Sequence, residues 1–168
     1  MMKVMHYSSP LGDLLLAEKD QHLVGAWFEG AKYYGSVLED VLTEDPDSLT
    51  LRKAAAWLDA YFAGERTDPS ALPIVFSGSA FRQSVLRKLM DISYGMTTTY
   101  GAIALLLQCE TGKPVSAQAV GGAVGHNPIS IIIPCHRVLG ADGSLTGYAG
   151  GVEKKQWLLR LEREHGLA

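Results

Sequence analysis

The run Ile131-Ile132-Ile133-Pro134-Cys135-His136-Arg137-Val138 constrains this chain more than any other stretch. Three consecutive β-branched residues demand a dry interior and read as a buried strand. Pro134 then stops that strand, because proline has no amide hydrogen to give a ladder. A cysteine follows, with a histidine beside it. A thiolate is the most nucleophilic natural side chain, and a neighbouring imidazole can draw its proton away. An inert, packed thiol is the alternative, since free cysteines are usually buried. The octapeptide alone leaves both open.

The flanking segments separate them. Upstream stands Gln118-Ala119-Val120-Gly121-Gly122-Ala123-Val124-Gly125-His126-Asn127-Pro128; downstream come Gly147-Tyr148-Ala149-Gly150-Gly151 and Lys155-Gln156-Trp157-Leu158-Leu159-Arg160-Leu161-Glu162. In that order, with Pro-Cys-His-Arg-Val between them, these segments resemble the O6-alkylguanine-DNA alkyltransferases, also called methylated-DNA–protein-cysteine methyltransferases. The resemblance is strong over residues 81–162 and general before them. Several ordered motifs together are far more specific than one.

Composition sets the outer limits. A chain of 168 residues, 47% of them apolar, can build a real core as one domain or two small ones. No apolar run approaches membrane-spanning length. Residues 1–6 lack the apolar region and cleavage pattern of a signal peptide, so a cytoplasmic location is expected. Cys109 and Cys135 are the only cysteines, too few for a disulfide scaffold and without zinc-site spacing. Cys109 follows an apolar stretch and reads as a packing residue. Some members of the resembled family carry zinc in the first half, but that half has no cysteine here. No metal and no cofactor are therefore expected.

The net charge of −3 looks unsuited to a DNA-binding protein until the chain is divided. Residues 1–80 hold six Lys/Arg against twelve Asp/Glu, which is −6, and residues 81–168 hold nine against six, which is +3. The basic surplus lies with the motifs. It suits modest phosphate contact.

Organisation follows the same division. Residues 3–7, 11–17 and 22–28 read as short strands of a small antiparallel sheet, with a turn at Ser8-Ser9-Pro10. Residues 49–62 read as an amphipathic helix carrying Leu51, Ala55, Leu58 and Phe62 on one face. Residues 68–73 read as an extended linker, placing a boundary near residue 80. Beyond it, helices are expected over 81–92, 100–107, from a Ser116 cap to about 125, and over 153–164. The middle two, joined by a turn at 110–114, form a helix-turn-helix whose second member would lie on DNA. The expected class is α+β. A small antiparallel β-sheet with helices (1–80, structural support) precedes a mainly helical, winged helix-turn-helix-like domain (81–168) carrying the cysteine. Gly121-Gly122 costs the second helix ~2 kcal/mol relative to alanines. The pair serves close helix packing or close approach to a sugar-phosphate chain.

The resemblance implies a chemistry. Removing an alkyl group from guanine O6 needs a soft nucleophile, a base to deprotonate it, and a donor for the departing purine. It assigns the nucleophile to Cys135 and implies a Glu162–His136–water–Cys135 relay, in logic like a protease triad. Asn127 would brace the cysteine segment, Pro134 fix its approach, and Arg137 anchor the loop through ion pairs. The base must leave the duplex, because O6 faces the major groove. Tyr100 would then donate a hydrogen bond to it, while Val138, Tyr148 and Ala149 line its pocket, Gly147 and Gly150 shape the pocket loop, and Lys155 positions the tyrosine or the cysteine loop. Gln118, Ala119, Gly121, Gly122, Val124 and Gly125 would meet DNA.

The implied protein is a monomeric, single-use methylated-DNA–protein-cysteine S-methyltransferase without cofactor. It acts on double-stranded DNA containing O6-alkylguanine, and on O4-alkylthymine, and meets no membrane. Two departures stand out. Gln118 replaces an arginine that many relatives place in the gap left by the flipped nucleotide, and Ala149 replaces a serine seen in some. A lesion-binding protein without chemistry would lack Cys135, whereas a sequence-reading regulator would leave Cys135, His136 and Glu162 unexplained. A cysteine hydrolase would turn over many times.

Overall fold

The computed structural model describes residues 1–32, 34–38 and 41–166. Strands β1 (Met2–Ser9), β2 (Gly12–Lys19) and β3 (His22–Phe28) form an antiparallel meander, and β4 (Leu42–Glu44) adds a parallel edge beside β1. The expected antiparallel sheet is therefore mixed at one edge. The hinge between β2 and β3 is Asp20-Gln21, both at positive φ (50° and 63°). That is the primed turn whose twist matches a two-residue hairpin. Neither residue is glycine, and the Glu18 carboxylate secures the turn by accepting the Gln21 amide at 3.0 Å.

Both faces of β2 are covered. Leu14 and Leu16 face the main core with Phe28, whereas Leu15 and Ala17 join Met2, Val4, Val24 and Trp27 in a smaller cluster. Helix α1 (Leu49–Phe62) is capped by Ser48, whose hydroxyl accepts the Leu51 amide at 3.2 Å and donates to Glu18. Its buried residues include Leu51, Ala54, Trp57, Leu58 and Tyr61, while Ala55 and Phe62 sit at the margin. This is a rotation from the expected stripe. It turns Tyr61 inward.

The second segment holds α2 (Ala80–Met90), β5 (Thr98–Thr99), α3 (Tyr100–Thr111), α4 (Ala117–Gly125), β6 (Val138–Leu139) and α5 (Val152–Gly166). Thr99 and Ser116 cap α3 and α4, accepting the amides of Ala102 and Ala119, both at 3.1 Å. Gly112, at φ 70°, ends α3 in the left-handed region that glycine tolerates best. Helix α3 runs a turn longer than expected. Its buried residues are Ile103, Ala104 and Leu107. Cys109, two positions beyond Leu107 and so about 200° around the helix, is exposed rather than packed.

A second correction concerns Ile131 to Ile133. All three are buried, yet they form a compact turn instead of a strand, and Ile131 takes φ 69°. Just before it, the chain hooks onto β3. The Ala26 amide donates to the Pro128 carbonyl at 2.8 Å, and Ser130 N–H returns to Ala26 O at 2.8 Å. One apolar cluster joins Leu14, Phe28 and Leu58 of the first segment to Val85, Ile103, Ile133 and Leu158 of the second. No described helix is long and apolar enough to cross a membrane.

Candidate active site

The turn at Cys135–Arg137 is a single 3-10 coil, entered by the Cys135 amide donating to Ile133 O at 2.8 Å. Asn127 makes that entry possible. Its Nδ2 donates to Ile133 O at 2.8 Å and Ile129 O at 3.3 Å, while its Oδ1 accepts the Ile129 amide at 3.0 Å. One buried side chain thus satisfies backbone groups that a strand ladder would have served. Ile131 is held in its left-handed conformation between those bonds.

Cys135 is 6% exposed and lies at the floor of a cleft of about 310 Å³. One wall is α4, through Gly121, Gly122, Val124 and Gly125; the other is the loop Gly147, Tyr148 and Ala149, with Tyr100 between them. Burial pushes the thiol pKa up, while the Asn127 amide and the Lys155 charge pull it the other way. At rest the sulfur carries its proton.

Behind the cysteine is a closed polar cluster. His136 is fully buried, and its Nε2 bonds to Glu162 Oε2 on α5. The other carboxylate oxygen accepts Arg137 Nε at 2.7 Å and the Gly95 amide at 3.1 Å. Tyr61 of α1 donates its hydroxyl to Glu162 Oε2 at 2.7 Å. Arg137 is fixed in turn by the Ile92 carbonyl at 2.6 Å. Burial works against ionisation of Glu162, but the hydrogen bonds from His136 and Arg137 and the charge of Arg137 outweigh it and hold its carboxyl at about 2. For His136, burial wins over Glu162 and pushes the imidazole below its ordinary 6.5. The ring is neutral at physiological pH. Its Nε2 engages the carboxylate, and its Nδ1 has no hydrogen-bond partner among the described residues.

Lys155 is fully buried, an unusual place for an ammonium group. It donates to the carbonyls of Val138 at 2.6 Å, Thr146 at 3.0 Å and Gly147 at 3.2 Å, tying the cleft loop to the cysteine turn. Tyr100 donates to the same Thr146 carbonyl at 3.0 Å.

The other expected site residues fall into three places. Tyr100, Gly121, Gly122, Val124, Gly125, Tyr148 and Ala149 line the cleft with Cys135. Gln118 and Ala119 are exposed on the first turn of α4. Val138, Pro134, Gly150 and Lys155 stand behind the lining; a Cβ on Gly150 would come within 2.9 Å of Phe28. The helix glycines answer an open question. A Cβ built on Gly122 or Gly125 meets nothing within 4 Å, and one on Gly121 makes only ordinary contact with Tyr100. Internal packing does not require these glycines.

Three residues escaped the sequence reading. Tyr61 lies on an amphipathic helix where several registers look alike. His126 and Lys32 both line the cleft; His126 Nδ1 bonds to Gly122 O at 2.7 Å, and the Lys32 amide donates to Ala149 O at 3.1 Å. Among the described residues, no group of three or more His, Cys, Asp or Glu could hold a metal.

A four-stranded sheet backing a helix-turn-helix, with a cysteine sunk beneath the second helix, defines a cysteine-centred α+β protein built to receive a ligand at α4. Two family models match it: 6-O-methylguanine DNA methyltransferase, ribonuclease-like domain over residues 2–76, and 6-O-methylguanine DNA methyltransferase, DNA binding domain over residues 80–164. The chain belongs to the 6-O-methylguanine DNA methyltransferase family. A methylated-DNA–protein-cysteine methyltransferase of Mycolicibacterium paratuberculosis is 44% identical over 168 residues, covering 100% of this chain and 96% of its own. One from Methanosarcina acetivorans is 42% identical over 163 residues, covering 93% and 95%. The crystal structure of Mycobacterium tuberculosis OGT in complex with DNA superimposes with a TM-score of 0.81 at 38% identity, covering 98% of this chain and 93% of that one.

Proposed function

We propose that this chain is a single-use DNA repair protein that moves the alkyl group of O6-alkylguanine, and of O4-alkylthymine, in double-stranded DNA onto Cys135. It acts as a methylated-DNA–protein-cysteine S-methyltransferase, as a monomer in the cytoplasm and without cofactor. Residues 81–168 bind DNA and carry the chemistry, and residues 1–80 support them. The observation that carries this reading is the cysteine at the floor of the α4 cleft, backed by a neutral imidazole already bound to an ionised carboxylate.

The route follows from these groups. Helix α4 approaches the backbone through its bare glycine side, and Gln118 and Ala119 face the gap left by the extruded base. The flipped purine enters between Tyr148, Ala149 and Gly121. His136 receives the thiol proton at Nδ1, directly or through water, while Glu162 supports the resulting imidazolium. The sulfur attacks the alkyl carbon. A carbon–sulfur bond forms as the carbon–O6 bond breaks, and its electron pair goes to the purine. Tyr100 hydrogen-bonds that developing anion, and the guanine gains one proton, balancing the one lost by the thiol. A thioether has no easy way back, so each molecule acts once.

Incubation with a duplex oligonucleotide bearing O6-methylguanine tests this. Intact mass should rise by one methyl per protein, and Cys135→Ala should show none. Catalytic turnover, or an adduct in the variant, overturns the reading.

A further inference from the structure

Tyr61 belongs to the segment assigned to structural support, yet its hydroxyl reaches the centre of the polar cluster. It is fully buried. Its ring stacks on Trp57 at 5.8 Å and 4° and meets the edges of Tyr94 and His136 at 5.9 and 6.3 Å. Besides donating to Glu162 Oε2 at 2.7 Å, the hydroxyl lies 3.4 Å from His136 Nε2. One carboxylate oxygen therefore serves two donors, the imidazole and the phenol.

We propose that Tyr61 is a positioning residue of the relay: its hydroxyl holds Glu162 in place and shares the carboxylate's charge, setting how readily His136 takes the thiol proton. This rests on the repair reading for its consequence, though not for its measurement. A carboxylate that accepts a second hydrogen bond has less charge to offer an imidazolium. With Tyr61 present, His136 stays neutral and available as a base. Without the hydroxyl, Glu162 stabilises the protonated ring more strongly.

Other charged and titratable groups face the pair from every side. Arg137 and Cys135 come from the same turn, Tyr94 from the segment before β5, Tyr148 from the cleft loop, and Lys155 from α5. All are retained in Tyr61→Phe, which keeps the ring and its stacking and removes one oxygen.

Two measurements decide. The single-turnover rate on O6-methylguanine duplex, followed from roughly pH 5 to pH 9, should lose activity on the acid side as His136 protonates. In Tyr61→Phe that limb should move up by about one pH unit. The His136 imidazole signals in NMR, identified by their loss in His136→Gln, should show the same upward shift in midpoint. An unmoved or lowered midpoint, or a uniform rate loss that follows thermal stability, overturns the inference and leaves Tyr61 as a packing residue. If wild-type protein forms no adduct, the repair reading fails, and the NMR titration still tests Tyr61.

Discussion

The side-chain amide of Asn127 donates to the backbone carbonyl of Ile133 at 2.8 Å, closing a loop over residues 127–133 that ends two residues before the cysteine. With the two bonds to Ile129, it replaces a strand ladder by a single side chain. Cys135 is placed by this clasp more than by its own neighbours.

Asn127→Ala should therefore cost stability and reactivity together. The buried Ile129 amide loses its partner, and the carbonyls of Ile129 and Ile133 each lose one of two donors, an expected loss of about 1–3 kcal/mol in urea unfolding. Asn127→Asp keeps the acceptor for Ile129 and loses the donor to Ile133, so its alkyl-transfer rate should also fall. A fully stable Asn127→Ala protein would contradict the clasp.

Helix α4 offers a test in which stability and function move oppositely. Because a methyl on Gly122 meets open space, Gly122→Ala should raise unfolding stability by about 0.5–1 kcal/mol. The same methyl would stand between the helix and a sugar-phosphate chain, so duplex DNA affinity should drop. Unchanged affinity in a fluorescence anisotropy titration would remove the glycines from the interface.

Gln118 is exposed at the start of α4. An arginine there adds a charge, reach and a stacking plane. Gln118→Arg should raise the single-turnover rate on duplex DNA several-fold, with less effect on a free modified base. If the duplex rate does not rise, this position does not fill the gap left by the flipped nucleotide.

Acid should destabilise the protein in two stages. His136 has a folded pKa below its ordinary 6.5, so the unfolded chain binds a proton first and stability falls as pH drops below 6.5. Glu162 is held near 2 against an ordinary 4.5, so its contribution is present above 4.5 and is lost as pH falls toward 2. Glu162→Gln should flatten that second slope. At neutral pH it should cost about 3 kcal/mol, because Arg137 and His136 lose their carboxylate. Urea midpoints measured across pH check both.

How much could be read from residues alone depended on how local each determinant is. Cys135 and His136 are adjacent, and the helix cap Ser116 sits beside the element it starts, so these were legible. Glu162 was reached only through a motif with known order. The turn at 131–133 was misread because three isoleucines favour a strand, and the overriding bonds come from Asn127. Cys109 was misread because α3 carries more apolar residues than its inner face can bury, leaving Leu105 and Leu106 exposed. Strand β4 is three residues with no apolar alternation and gave no signal. Tyr61 required knowing which of two neighbouring stripes on α1 turns inward, a choice made by the packing of the second segment.

The bond from Tyr100 to the Thr146 carbonyl, at 3.0 Å, ties one wall of the cleft to its loop. The Tyr100 hydroxyl, which faces the cleft, is thus already satisfied. If an incoming purine took that hydroxyl, the Thr146 carbonyl would keep the Lys155 ammonium at 3.0 Å. The tyrosine can change allegiance at small energetic penalty, and the doorway favours visitors able to reach far enough inside to ask for it.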